Sequence, residues 1–291
     1  MRNGIASTGS VPYRKTSRAL RVNARPIARR EMRRHPFAGK YVVVKVGGTA
    51  DVARGRVPQD VKQLVVAGAR VVIAHGGGDA LTEWLKERGR QSRWIDGLRV
   101  TDAATRDDAV LIYRGQVAPA VIAQFVAAGV SAMGIGGVDG GVVRVRQRAP
   151  ELGYVGNVRS IDVGVLDTLT GAGCVPVVSP LGLGPHGEIY NVNGDDVAAG
   201  LAQAVSAQAL VFLTDVAGVR DADGQVISEL LAAQARALIR SGVIGGGMVP
   251  KVKASLRLLG RVGAVWITDG SQPHALRNAL VDHRAGTRII P

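Results

Sequence analysis

A single cysteine, Cys174, in 291 residues leaves no partner for an internal disulfide and no thiol cluster for a metal. It lies in the apolar run CVPVVSP and reads as an inert core thiol. Aromatic residues make up only 4% of the chain, against 39 glycines, which favours helices packed closely on a sheet over a β-sandwich. No uninterrupted apolar run reaches the length of a membrane span, so no transmembrane helix is expected. The P-loop pattern GxxxxGK[ST] is absent. One GxGxxG occurs, at Gly182, Gly184 and Gly187, but it runs into the strand-like EIYN instead of opening a helix. It therefore reads as a hairpin turn and not as a dinucleotide fingerprint.

Acidic residues are nearly missing from the N-terminal 40 positions, where eleven Lys or Arg face only Glu31, a net +10 out of the chain's +14. The rest carries an ordinary +4, so nothing in it resembles a nucleic-acid binder. Residues 1–39 show no convincing apolar period and read as a basic, flexible extension. An Arg-rich targeting segment, or a reading-frame extension with Met32 as the start, remains an alternative.

From Lys40 onward, apolar β-branched runs alternate with amphipathic helical stretches, which predicts an α/β protein with a mainly parallel sheet. Expected strands are Tyr41–Val46, Arg70–Ala74, Ser131–Gly136, Cys174–Ser179, Ala209–Thr214 and Ala264–Thr268, with a turn at Asp96-Gly97 and a basic hairpin over 142–159. Helices are expected near 58–69, 102–128, 161–170, 195–206, 230–239, 250–259 and 273–281. The chain divides near Pro180 into two α/β lobes, 40–180 and 181–291.

Four stretches carry chemistry. VVVKVGG ends a buried strand in Lys45, Gly47 and Gly48, a cation and free backbone N–H groups placed where an anion would sit. HGGG, His75–Gly78, joins a second buried strand to a helix start, where N–H groups and the helix dipole converge. NVNGDD crowds Asn191, Asn193, Asp195 and Asp196 at another helix start, more than capping requires. GGGMVPKVKA places Lys251 just inside a third, a location that calls for a nearby anion. Arg99, in an apolar hairpin, reads either as a carboxylate clamp or as a surface ion pair.

Taken in order, VKVGG, HGGG, GLRVTD, NVNGDD, LTDVAGV and GGGMVPKVKAS resemble the amino-acid kinase family, and within it the acetylglutamate kinase branch of arginine biosynthesis. The resemblance implies a three-layer α/β/α sandwich of two lobes, the N-terminal one for the acyl amino acid and the C-terminal one for ATP. It implies that Lys45 and Lys251 stabilise the transferring phosphoryl group and that Asp195 orients them. Gly47, Gly48, Gly76 and Gly77 would donate N–H groups to the γ-phosphate and the attacking carboxylate. Arg99 and Asn191 would hold the substrate, and Thr214, Asp215 and Gly218 would line the nucleotide pocket. It further implies Mg²⁺ carried on the ATP phosphates, N-acetylglutamate or a similar acyl amino acid as substrate, a homodimer, and a cytoplasmic enzyme independent of membranes. A kinase of an N-acylated 2-aminoadipate, or a silent nucleotide-binding homologue, is the alternative.

The chain departs from the branch in two places, reading GQVAPA (115–120) for GKVNK and GGVDG (136–140) for SGKDG. Its C-terminal HALRNALVDHRAGT also puts Asn278 and Ala279 where arginine-inhibited members carry a glutamate. Little or no inhibition by arginine is therefore expected.

Overall fold

The computed structural model describes residues 35–47 and 56–291. The basic extension before residue 35, Met32 within it, and Gly48 lie outside the described residues.

Valines drive the centre. Strand β1 (Tyr41–Val46) buries Val42, Val44 and Val46 in one core and Val43 in another, so both of its faces are covered. The same apolar design builds β2 (Arg70–His75), β8 (Val175–Ser179) and β11 (Ala209–Thr214), which pair in parallel as buried strands must when helices cover both faces. With β5 (Ala132–Gly136), β12 (Glu229–Leu231), β13 (Val265–Asp269) and β14 (Thr287–Ile290) they form one eight-stranded sheet ordered β12-β14-β13-β11-β1-β2-β8-β5. Only the β13–β14 pair is antiparallel.

One face carries α1 (Val57–Val66), α2 (Gly78–Glu87), the long helix α3 (Ala103–Ala127) and α8 (Ala275–Leu280); the other carries α4 (Gly164–Gly171), α5 (Gly194–Ala204), α6 (Ala232–Arg240) and α7 (Met248–Leu258). The three layers expected from the sequence are therefore present. A small closed ring of β6 (Val143–Gln147), β7 (Val155–Ile161), β9 (Leu181–Leu183) and β10 (Ile189–Val192) sits beside the sheet, and β3 (Trp94–Ile95) pairs with β4 (Leu98–Arg99) in a separate hairpin. GLGPHG forms the β9–β10 turn, and Asp96 and Gly97 both take positive φ at the β3–β4 turn.

Three readings need correction. Cys174 precedes β8 and is half-buried, because the strand begins at Val175. β12 was not expected; its three residues bury only Leu230, too little to leave a period in the sequence. And α3, by length and composition, is long and apolar enough to cross a membrane. The charges at Arg106, Asp107, Asp108 and Arg114 hide this in the sequence. In the fold Ala118, Val121 and Phe125 of α3 are buried, while Leu111 and Val126 are exposed.

Helix α3 also carries a π turn at Ile112–Val117. A proline inside a regular α-helix drives its ring into the carbonyl four residues earlier; here the wider turn spares Pro119 that collision with Gly115. The GQVAPA departure is thus accommodated without ending the helix.

Topology fixes where a ligand goes. The chain leaves β1 for β2 on one side and later lays β11 on the other, so the β1–β11 boundary is a switch point. In open α/β sheets the crevice beyond the carboxyl ends of such strands is the binding site.

Candidate active site

A cavity of about 580 Å³ opens at that place, and Lys45, Gly47, Gly76, Gly77, Arg99, Asn191, Asp195 and Lys251 all line it. Three helix N-termini meet there, those of α2 at Gly77–Gly78, α5 at Asn193–Asp195 and α7 at Gly247–Lys251. Each end contributes partial positive charge, so together they favour an anion at this place.

Asp195 organises the cations. Its Oδ1 lies 3.1 Å from Lys45 Nζ and its Oδ2 3.1 Å from Lys251 Nζ. The Lys251 contact has hydrogen-bond geometry. The Lys45 contact is an ion pair without good donor alignment, and Oδ1 accepts no hydrogen bond. Burial alone would raise the Asp195 carboxyl, but the two ammonium groups outweigh it and hold the value below the usual carboxylate range. The anion that the position of Lys251 called for is therefore supplied by the protein. Asn193 caps α5, accepting from Asp195 N at 2.8 Å and Asp196 N at 3.3 Å, and so fixes Asp195.

The glycine loops touch. A Cβ on Gly76 would lie 2.3 Å from the Gly47 carbonyl oxygen, and one on Gly77, at φ 147°, would lie 2.8 Å from the Tyr113 ring. Only glycine permits this approach of the β1 and β2 ends.

His75 steadies the second loop. Its Nδ1 is 2.5 Å from the Gly76 carbonyl oxygen and its Nε2 is 2.8 Å from Ser179 Oγ. A carbonyl only accepts, so Nδ1 carries the proton and Nε2 accepts from the serine. Burial, aided by the Arg114 and Lys45 charges, pushes the imidazole down to about 4. In the unfolded chain the value is near 6.5, so between the two values the unfolded state binds the extra proton. Stability should fall by up to about 3 kcal/mol as pH drops through this window, and His75→Gln should remove that component. Urea midpoints at about pH 7.5 and about pH 5 check it; equal acid losses in wild type and variant would refute it.

Arg99 is buried, its guanidinium stacked 4.4 Å over Trp94 and donating to Ser92 Oγ, to Gly78 O at 2.9 Å and to Thr82 Oγ1 at 2.7 Å. It has no acidic partner in ion-pair range among the described residues, which removes the surface ion-pair reading. Five N–H groups less these three bonds leave two for a ligand. Asn191 Nδ2 donates to Thr101 Oγ1 at 3.1 Å, leaving its carbonyl oxygen as an acceptor. Thr214, Asp215 and Gly218 do not line the cavity. Thr214 ends β11, paired with Asp269 of β13, and the other two follow it, Gly218 packed against Thr287.

Sequence reasoning missed Tyr113, which lines the cavity from the π turn, and Ser179 behind His75. It also missed how Asp139 of the second departure is held: it accepts from Arg114 at 2.8 Å and from Gly136 N at 2.7 Å. None of these pairings leaves a local pattern. Among the described residues no His, Cys, Asp and Glu cluster has the makings of a metal site.

A lysine–aspartate–lysine bridge under converging helix ends is an arrangement suited to an anion. The chain belongs to the Amino acid kinase family, which residues 40–269 match. It is 39% identical over 271 residues to an acetylglutamate kinase of Symbiobacterium thermophilum, spanning 87% of this chain and 92% of that protein. To the acetylglutamate kinase of Granulibacter bethesdensis it is 42% identical over 272 residues, spanning 87% and 91%. The structure of smu.665 from Streptococcus mutans UA159 superposes with a TM-score of 0.77 at 28% identity, covering 86% of this chain and 98% of the other.

Proposed function

We propose that this chain transfers the γ-phosphoryl group of MgATP to the side-chain carboxylate of N-acetyl-L-glutamate, giving ADP and an acyl phosphate. The observation that carries the reading is the Lys45–Asp195–Lys251 bridge set among three helix N-termini in one cavity. The carboxylate oxygen forms a bond to phosphorus as the bond from phosphorus to the β,γ-bridging oxygen breaks. A carboxylate of pKa about 4.3 is already ionised, so the step needs no base. This fits a cavity with no histidine among its described lining residues. The work left to the protein is positioning and charge neutralisation. Lys45 and Lys251 reach the equatorial oxygens, Gly47 and Gly77 offer N–H groups while the Gly76 N–H stays with Val46 O, and Asp195 keeps the lysines convergent. Magnesium enters as part of the nucleotide substrate.

Arg99 takes the substrate α-carboxylate through its charge and an uncommitted N–H, and the Asn191 carbonyl oxygen accepts the acetamido N–H. Thr214, Asp215 and Gly218 flank the nucleotide, and residues 181–291 form the nucleotide-binding lobe against a substrate lobe of 40–180. Arg99→Lys keeps the charge but loses the planar fork, so the KM for N-acetylglutamate should rise about tenfold or more while that for ATP stays within about twofold. Steady-state kinetics in both substrates checks it; parallel changes in the two constants would mark a merely structural arginine. Turnover across N-acetylglutamate, N-acetyl-2-aminoadipate, glutamate and aspartate tests the substrate, and a higher kcat/KM for any of the others would displace this reading.

Leu111 and Val126 of α3 and Met133 of β5 leave large apolar side chains exposed, and we propose a homodimer that covers them. Asp282, a carboxylate that could meet a bound arginine from a shifted position, is 3.6 Å from Arg277. Millimolar arginine should therefore leave the rate nearly unchanged. Light scattering and an arginine titration check both statements; a hexamer with sigmoidal inhibition would overturn them.

A further inference from the structure

A second cavity, of about 500 Å³, lies between β7, α5 and the end of α7. Its floor is made by small residues of α5, Ala199, Gly200 and Ala204. Its rim is arginine. Arg159, Arg257 and Arg261 line it directly, and Arg146 stands across the hairpin from Asn157, another lining residue, on the same face. The single acid in the lining is Asp196, and both of its oxygens are committed, Oδ1 to Arg257 at 2.7 Å and Oδ2 to Arg148 at 2.8 Å. The side chains of Arg146, Arg159 and Arg261 make no hydrogen bond or ion pair among the described residues.

Arg159 reaches the cavity through an irregularity of the strand. Ser160 pairs with Arg144 and Val158 with Val145, so Arg159 is an extra residue with nothing opposite it. Such bulges re-aim side chains and gather at functional places. Five guanidinium groups around one neutralised carboxylate, with no anion to answer them, form a strongly positive enclosure within the size range of small-molecule sites. Planar forks of this kind match phosphate and carboxylate oxygens.

From this we infer a binding site for a small organic polyanion, carrying at least two phosphate or carboxylate groups, bridged between Arg159 on β7 and Arg261 beyond α7. Its floor helix carries Asp195 beside the lining residue Asp196, and its flanking helix carries Lys251 at its other end, so occupancy bears on the catalytic cavity. The site stands independently of which acyl amino acid is phosphorylated.

The test is methyl NMR on the full chain at about 0.15 M salt, titrating tripolyphosphate, with citrate in parallel to separate phosphate from carboxylate preference. Val158, Ile161 and Leu258 methyl groups report this cavity alone, apart from the active site and the basic extension. Saturable shifts with either probe are expected. The dissociation constant should rise about tenfold in Arg159→Ala and in Arg261→Ala, as for loss of one charge-assisted contact, and stay unchanged in Arg288→Ala. All three arginines are partly or fully exposed, so the variants keep the fold. Failure of both probes to move these methyl groups, or wild-type affinity in Arg159→Ala and Arg261→Ala, would overturn the site.

Discussion

Lys45→Ala and Lys251→Ala should each lower kcat by at least ~10²-fold, the scale for removing one preorganised donor from a developing charge. The two lysines converge on one carboxylate from different elements, β1 and α7, so neither can stand in for the other. Folding should survive both changes. The bridge carries two positive charges and one negative, and losing either lysine leaves Asp195 with one partner and no buried charge unpaired. Asp195→Ala differs, because it leaves two ammonium groups facing one another at a buried position. Measured kcat within threefold of wild type for either lysine variant, with circular dichroism unchanged, would remove the bridge from the mechanism.

The second large effect is expected from a single methyl group. Gly76→Ala puts a Cβ 2.3 Å from the Gly47 carbonyl oxygen, a backbone atom that cannot swing aside. Gly76 N also donates to Val46 O at 2.9 Å, so the clash must part the β1 and β2 ends or rotate the Gly76 peptide away from His75. Either response displaces the N–H groups by a sizeable fraction of an ångström, and misplacement of about 1 Å costs on the order of 10²-fold in rate. Gly171→Ala, at the end of α4 with nothing within 4 Å, is the matched control and should retain full activity. Comparable kcat in the two variants would show that the loop contact is not needed for turnover.

Much of this site is legible in the chain because its parts are local. A buried valine strand running into Lys45 and Gly47, a glycine run opening a helix after His75, and Asn193 before two aspartates each declare a strand end or helix start within about seven residues. Such signals say that an anion belongs at each place. They do not say that the places coincide, which depends on β1 lying between β2 and β11. What stayed hidden is long-range. Ser179 meets His75 across 104 positions, and Asn191 meets Thr101 across 90. Arg148 and Arg257 reach Asp196 from opposite directions, and the bulge that turns Arg159 toward its cavity shows only once β6 is paired with β7. Side-chain period carries no trace of such contacts.

The reaction itself is tested most directly by isotope. N-acetyl-L-glutamate labelled with ¹⁸O in its side-chain carboxylate is incubated with MgATP and enzyme, and hydroxylamine traps the product. Hydroxylamine attacks the acyl carbon, so the phosphate released keeps the oxygen that bridged carbon and phosphorus. The account predicts hydroxamate formed in step with ADP, and ³¹P NMR showing one ¹⁸O in each phosphate. Unlabelled phosphate, or ADP without hydroxamate, would mean that water and not the carboxylate receives the phosphoryl group.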